Sequence, residues 1–266
     1  MDTSHIDKYL ERIGHKSAPA LSEDTLRALQ SEHLHSIPYE NLDILAHKEH
    51  SLAYEDLFQR IILNHRGGYC FELNGLFGWL LRQLGFQTEE YFGRWLAGES
   101  LPVPKRRHRI IMVHIKEGDF VADAGIGGPA PVEPLLFEYY REQDREGVLW
   151  RIIPDNVLGS IVQRQVEGEW QNYYSFDDAP QQNLDFTYAH YYYTHHPQSP
   201  FLNKTIVHIR SQHGRNSIYT ELDPDTGLKQ PQLTVALPDG TIQSRFLYGE
   251  QAFRDALRNH FGLVLL

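Results

Sequence analysis

The hydrophobic pattern changes period once along the chain, near residue 88. Before that point apolar residues recur at helical spacing, and after it they fall in short runs separated by turn residues. Ile6, Tyr9, Leu10 and Ile13 form one helical stripe, which Gly14 ends. Ser22, ahead of Glu23 and Asp24, is placed to cap a second helix carrying Leu26 and Leu29. Pro38 interrupts the pattern at Ile37. A third helix is predicted over 54–63, with Leu57, Phe58, Ile61 and Ile62 inward. It runs into the stretch Arg66-Gly67-Gly68-Tyr69-Cys70-Phe71-Glu72. From there Leu73, Leu76, Phe77, Leu80, Leu81 and Leu84 trace a buried helix, with Gly85 past its end. The two glycines are expected to supply backbone conformations closed to other residues.

Beyond Thr88 strands are predicted over 90–95, 109–115, 119–123, 150–153 and 161–166, with Lys116-Glu117-Gly118 as one turn and Gly168 marking another. Further strands follow over 205–210 and 232–237, and a helix over 250–261 closes the chain with Phe253, Leu257 and Phe261 inward. Internal repeats and low-complexity tracts are absent from the sequence. The pattern predicts an α+β protein in three parts: helices over 1–90, an antiparallel sheet or barrel over 91–190, and a mixed segment over 191–266.

Composition narrows the function. The 266 residues carry a net charge of −10, which argues against a nucleic-acid backbone or an anionic membrane as partner. A single cysteine forms no intrachain disulfide, so the fold does not depend on an oxidising compartment. The opening Met1-Asp2-Thr3-Ser4-His5 lacks a signal-peptide pattern, and no apolar run reaches transmembrane length. A cytoplasmic location is expected. The 15 histidines are scattered, without His-Glu-x-x-His or cysteine pairs, so no metal site is expected.

The candidate chemistry starts at Cys70. At the first turn of a buried helix, unpaired N–H groups and the dipole favour an anion, which suits a nucleophilic sulfur. The same position suits a buried structural cysteine. A nucleophile needs a base, and the base needs an orienting group. His108, at the head of an apolar strand, is the best base, although its run Lys105-Arg106-Arg107 also fits a surface histidine. Asp123 is the best orienting group, although an aspartate ending a strand also fits a turn. A two-residue loop at Glu117-Gly118 would set Asp123 opposite Met112, roughly 13 Å along the strand from His108. Some irregularity must bring the two together.

The set is more specific than its parts. Arg66-Gly67-Gly68-Tyr69-Cys70-Phe71-Glu72, His108, Asp123-x-Gly125-x-Gly127-Gly128 and Pro38-Tyr39-Glu40-Asn41-Leu42-Asp43 together resemble the arylamine N-acetyltransferase family. His196-Pro197-Gln198-Ser199-Pro200-Phe201 and the ending around His260-Phe261-Gly262-Leu263 are similar to further signatures of it. The resemblance implies a helical bundle, a β-barrel and an α/β lid, with a core like that of cysteine proteases and transglutaminases. It implies transfer of acetyl from acetyl-CoA, a substrate rather than a bound cofactor, through a Cys70 thioester. The acceptor would be an arylamine, arylhydrazine or N-hydroxyarylamine, as in xenobiotic metabolism. Cys70 would be nucleophile, His108 base, Asp123 its orienting partner, and backbone N–H groups near Cys70 the oxyanion donors. The CoA-binding residues and the oligomeric state stay open. The rivals are an amide synthase or acyltransferase of the same fold using another acyl donor, a cysteine hydrolase, and a non-catalytic binding relative.

Two departures from the family pattern affect the expected site. Ile126 stands where Phe is usual, on the expected acceptor wall. Arg107 stands where a small hydroxyl residue is common. With His108 facing the site, alternation turns Arg107 to solvent unless the strand starts only at Arg109. Glu40 and Arg66 are expected to pair and pin the cysteine stretch to the helices, a structural role.

Overall fold

A computed structural model describes residues 3–49, 51–100 and 103–265; Met1 and Asp2, read above, lie outside them. The first third is helical. α1 (Thr3–Ile13) and α2 (Glu23–Ser36) pack as a pair, with Ser22 accepting from the Thr25 N–H as N-cap. β1 (Tyr39–Glu40), α3 (Leu42–Leu45) and α4 (Tyr54–Leu57) follow. The single helix expected over 54–63 is instead one turn of α-helix continued by a π-helix, Phe58–Leu63. α5 (Cys70–Gln83) is the central helix, and Gly85 past its end has φ +96°.

The second third is a sheet of eight strands: β2 (Gln87–Trp95), β3 (Arg106–Ile115), β4 (Gly118–Ala122), β5 (Leu135–Leu136), β6 (Gln143–Arg145), β7 (Val148–Asp155), β8 (Gly159–Val166) and β9 (Glu169–Phe176). Its order is β5-β4-β3-β2-β9-β8-β7-β6, every pair antiparallel. The edge strands β5 and β6 meet through the Gln143 side chain, which accepts from the Leu136 N–H and donates to the Leu136 carbonyl. The sheet is thus a nearly closed barrel. α6 (Phe186–His195) leads to a second sheet built from β10 (Ile206–Ser211), β11 (Gly214–Leu222), β12 (Lys229–Ala236) and β13 (Ile242–Phe246), with α7 (Gly249–Phe261) packed on it. β1 joins this sheet at its edge, pairing Tyr39 with His208 and Glu40 with Val207. Among the described residues no helix is long and apolar enough to cross a membrane.

β3 is buried on both faces, and this positions the site. Ile111 and Val113 join Leu73, Phe77 and Leu81 of α5 in the helical core. Ile110 and Met112 face the barrel interior with Trp150, Ile152 and Tyr174. A strand read by alternation into two cores holds its register firmly, since a slip of one residue would exchange every side chain between them.

Candidate active site

Cys70 is the first residue of α5 and is buried. The helix start is fixed by Glu72, whose carboxylate accepts from the Tyr69 N–H at 2.9 Å while pairing with Arg60 at 2.5 Å. Neither Gly67 nor Gly68 has positive φ. They are needed for close approach: a Cβ on Gly67 would lie 2.1 Å from the Pro38 carbonyl oxygen, and one on Gly68 would lie 2.8 Å from Glu72 Oε2.

Arg66 holds the approach to the cysteine. Its guanidinium meets Glu40 Oε1 through Nη2 at 2.7 Å and Nε at 3.0 Å, and Asp43 through Nη1 at 3.1 Å. Glu40 also accepts from the Leu42 N–H at 2.8 Å and the Gly67 N–H at 3.3 Å. The anticipated pair therefore forms, as part of a buried network.

The distance problem between His108 and Asp123 is resolved by register. The β3–β4 loop is Lys116-Glu117, because Ile115 pairs with Gly118. The last ladder pair is Ile111 with Ala122. Asp123, one step on, therefore falls level with Ile110 rather than Met112, a diagonal neighbour of His108 on the barrel-facing side. Diagonal pairs are within reach of long and aromatic side chains. His108 Nε2 lies 2.5 Å from Asp123 Oδ2, with both side chains almost wholly buried. Burial alone would push His108 down. The Asp123 charge and hydrogen bond, with the neighbouring Cys70 sulfur adding to them, raise it to about 10 instead.

A β-bulge sets the other half of the geometry. β2 and β3 pair Gly93 with His108 but Arg94 with Arg106, so Arg107 is the extra residue. Its carbonyl, released from the ladder, lies 3.3 Å from Cys70 Sγ. The bulge also breaks the alternation that would send Arg107 to solvent. Arg107 and His108 both line the cavity that contains Cys70, although the strand begins at Arg106.

Two polar residues that the sequence reading passed over complete the support. Asn74, one turn after Cys70 on α5, donates to Asp123 Oδ1 at 2.8 Å and accepts from the Ala124 N–H at 2.8 Å. Gln30, on the inner face of α2, accepts from the Asp123 N–H at 2.9 Å. Both are fully buried, and the available signal was an amide among mainly apolar inward positions.

The cavity measures about 210 Å³ and is walled by Tyr39, Trp95, Phe201, Ile206 and Tyr219 around the sulfur and imidazole. Gly125 and Gly127 line it, whereas Ile126 between them turns into the barrel core. A side chain at 126 thus does not form the acceptor wall expected of it. The glycines let the chain pass close by: a Cβ on Gly125 would come 3.0 Å from Cys70 Cα, and one on Gly127 2.7 Å from the Tyr39 ring. Among the described residues no group of three or more His, Cys, Asp or Glu could hold a metal ion.

A helix-borne thiol facing a barrel-borne imidazole and carboxylate, at the end of a small aromatic cavity, is the arrangement of a thiol-dependent acyl-transfer enzyme. The profile of the N-acetyltransferase family matches residues 22–266. An arylamine N-acetyltransferase of Mycolicibacterium smegmatis is 32% identical over 265 residues, covering 97% of this chain and 91% of its own length. The solved arylamine N-acetyltransferase from Salmonella typhimurium superposes with a TM-score of 0.87 at 28% identity, covering 99% of this chain and 92% of that one. That of Mycobacterium marinum, solved in complex with CoA, gives 0.85 at 28% identity over 97% and 92%. The chain belongs to the arylamine N-acetyltransferase family, and by that membership it is an acetyltransferase.

Proposed function

We propose that the chain moves an acetyl group from acetyl-CoA to an aromatic amine in two half-reactions on Cys70. The observation that carries this reading is the Asp123–His108 contact of 2.5 Å beside a thiol at a helix N-terminus, all three buried and Cys70 and His108 lining one cavity. The raised His108 keeps an imidazolium beside the sulfur at neutral pH. In the first half-reaction the Cys70 thiolate attacks the thioester carbonyl, and backbone N–H groups at the start of α5 receive the oxyanion. The carbon–sulfur bond to CoA breaks, and the proton on His108 passes to the departing CoA sulfur. In the second, the neutral imidazole takes a proton from the attacking amine, and collapse of the intermediate expels the Cys70 thiolate. The imidazolium–thiolate pair is then restored. Asp123 holds the ring through Nε2 throughout, leaving Nδ1 for the proton transfers.

In this reading the helical segment 1–90 supplies the nucleophile, segment 91–190 the base and its partner, and segment 191–266 the lid, through Phe201, Ile206 and Tyr219 on the cavity wall. A catalytic thiol suits a reducing compartment, which supports the cytoplasm as its location. Arylhydrazines and N-hydroxyarylamines present the same nucleophile to the acetyl-enzyme, which would fit a role in processing foreign aromatic amines. The test is Cys70→Ser. A hydroxyl is scarcely ionised at neutral pH, so the variant should fold as the wild type and lose p-anisidine acetylation almost entirely. Near-wild-type turnover would overturn the mechanism.

A further inference from the structure

Arg107 takes no part in the acetyl transfer outlined above, yet the bulge seats it in the cavity of Cys70 and His108. Most of that cavity is aromatic or aliphatic. The guanidinium is a quarter exposed, and its ion pair with Glu99 spans 3.8 Å, beyond hydrogen-bond distance. Its charge reaches the cysteine side of the cleft. Burial raises the Tyr39 and Tyr193 hydroxyls, and Arg107 is the cation opposing that rise at both, where the Cys70 sulfur adds to it. Arg107 also lines a neighbouring cleft of about 150 Å³ with Lys105, Glu99 and Gln198. It therefore stands at the boundary between the apolar cavity and a polar opening.

We propose that Arg107 is an acceptor-specificity residue: it binds the carboxylate of an anionic aromatic amine, of the aminobenzoate kind, whose amino group faces the acetylated Cys70. This deepens the acetyl-transfer reading and rests on it. Arg107 and His108 line the same cavity, so one acceptor can meet both side chains. A benzene ring with para substituents carries an amine and a carboxylate at opposite ends. The cavity wall is apolar enough to take the ring, and a guanidinium fork matches a carboxylate. The phosphates of CoA offer the same fork an anion. They are more highly charged and more strongly hydrated, and so fit the polar opening rather than the aromatic cavity.

The experiment compares Arg107→Gln, Glu99→Gln and wild type with p-aminobenzoate and neutral p-anisidine, each over a range of acetyl-CoA. Arg107→Gln should lower kcat/KM for p-aminobenzoate about tenfold or more, as expected for a lost bond to a charged group, and lower it much less for p-anisidine. Glu99→Gln removes the competing carboxylate and should raise the p-aminobenzoate preference. A higher acetyl-CoA requirement with both acceptors would assign Arg107 to the donor phosphates and overturn the proposal. Equal kinetics with both acceptors would also overturn it. If Arg107→Gln loses both acceptors by failing to fold, Glu99→Gln decides: an unchanged or lower preference refutes the proposal. Acetylation of wild-type enzyme without acceptor tests the underlying mechanism separately, since it needs no acceptor site.

Discussion

Glu40→Ala tests the support beneath the cysteine without touching the reacting groups. Glu40 is almost fully buried and accepts two bonds from Arg66 and one each from the Leu42 and Gly67 N–H groups. Removing one member of a buried ion pair costs about 3–5 kcal/mol, because the remaining charge stays buried. Asp43 still holds Arg66 Nη1 at 3.1 Å, so the expected loss is at the lower end, about 3–4 kcal/mol. For a chain near this size each kcal/mol shifts Tm by roughly 2–4 °C, giving a fall of roughly 6–16 °C. The assay is a thermal melt paired with p-anisidine turnover per folded molecule at 25 °C. Turnover should fall much less than stability, and Glu40→Gln, which keeps an acceptor in place, should recover part of the Tm. An unchanged Tm with abolished turnover would refute the reasoning and give Glu40 a direct role with substrate.

Asp123→Asn removes the charge that raises His108. Burial then pushes the ring down with only the Cys70 sulfur opposing it, so iodoacetamide alkylation of Cys70 at pH 6 should slow markedly; an unchanged rate would remove Asp123 from the base's support. The same change has a signature in stability. In the wild type the protonated His108 contributes fully below its unfolded value near 6.5, and that contribution is lost as pH rises through about 10. The variant should lack this decline. Asn74→Ala strips a donor from Asp123 and leaves the Ala124 N–H without its partner, at about 1–3 kcal/mol. Turnover should fall with the pH dependence of alkylation displaced in the same direction as in Asp123→Asn, whereas an unmoved pH profile would leave Asn74 a packing role alone.

Local signals made α5 legible: six apolar positions at helical spacing, a glycine beyond the end, and a cysteine at the start. Five strands of the barrel were legible for the same reason, although its β5, β6 and β9 were not picked out, nor were β11 and β13 of the second sheet. β13 is largely exposed and β9 partly so, and neither offers a continuous apolar run. Tyr39–Glu40 could not be read as a strand, because two residues become one only when β10 arrives from the far end of the chain. The β3–β4 register lies two residues from the one a Glu117-Gly118 loop would give, and Lys116-Glu117 and Glu117-Gly118 are both acceptable loops in isolation. The two registers differ by an even number of residues and leave Phe120 and Ala122 toward the helices and Val121 in the barrel either way, so alternation does not choose between them. The bulge at Arg107 depends on how β2 pairs, which no feature of residues 105–109 announces. Cys70, His108 and Asp123 were each visible as candidates. Their convergence, and the amides of Asn74 and Gln30 that hold it, are consequences of packing.

The central claim is that Cys70 carries the acetyl group. Its most direct test is intact mass after incubation with acetyl-CoA and no acceptor, in the wild type and in Cys70→Ser. One acetyl group is expected on the wild type, mapped to the peptide containing Cys70, discharged when p-anisidine is added, and absent from the variant. A wild-type mass that stays unmodified while p-anisidine is still acetylated, or an acetyl group that persists in Cys70→Ser and is transferred from there, would contradict it.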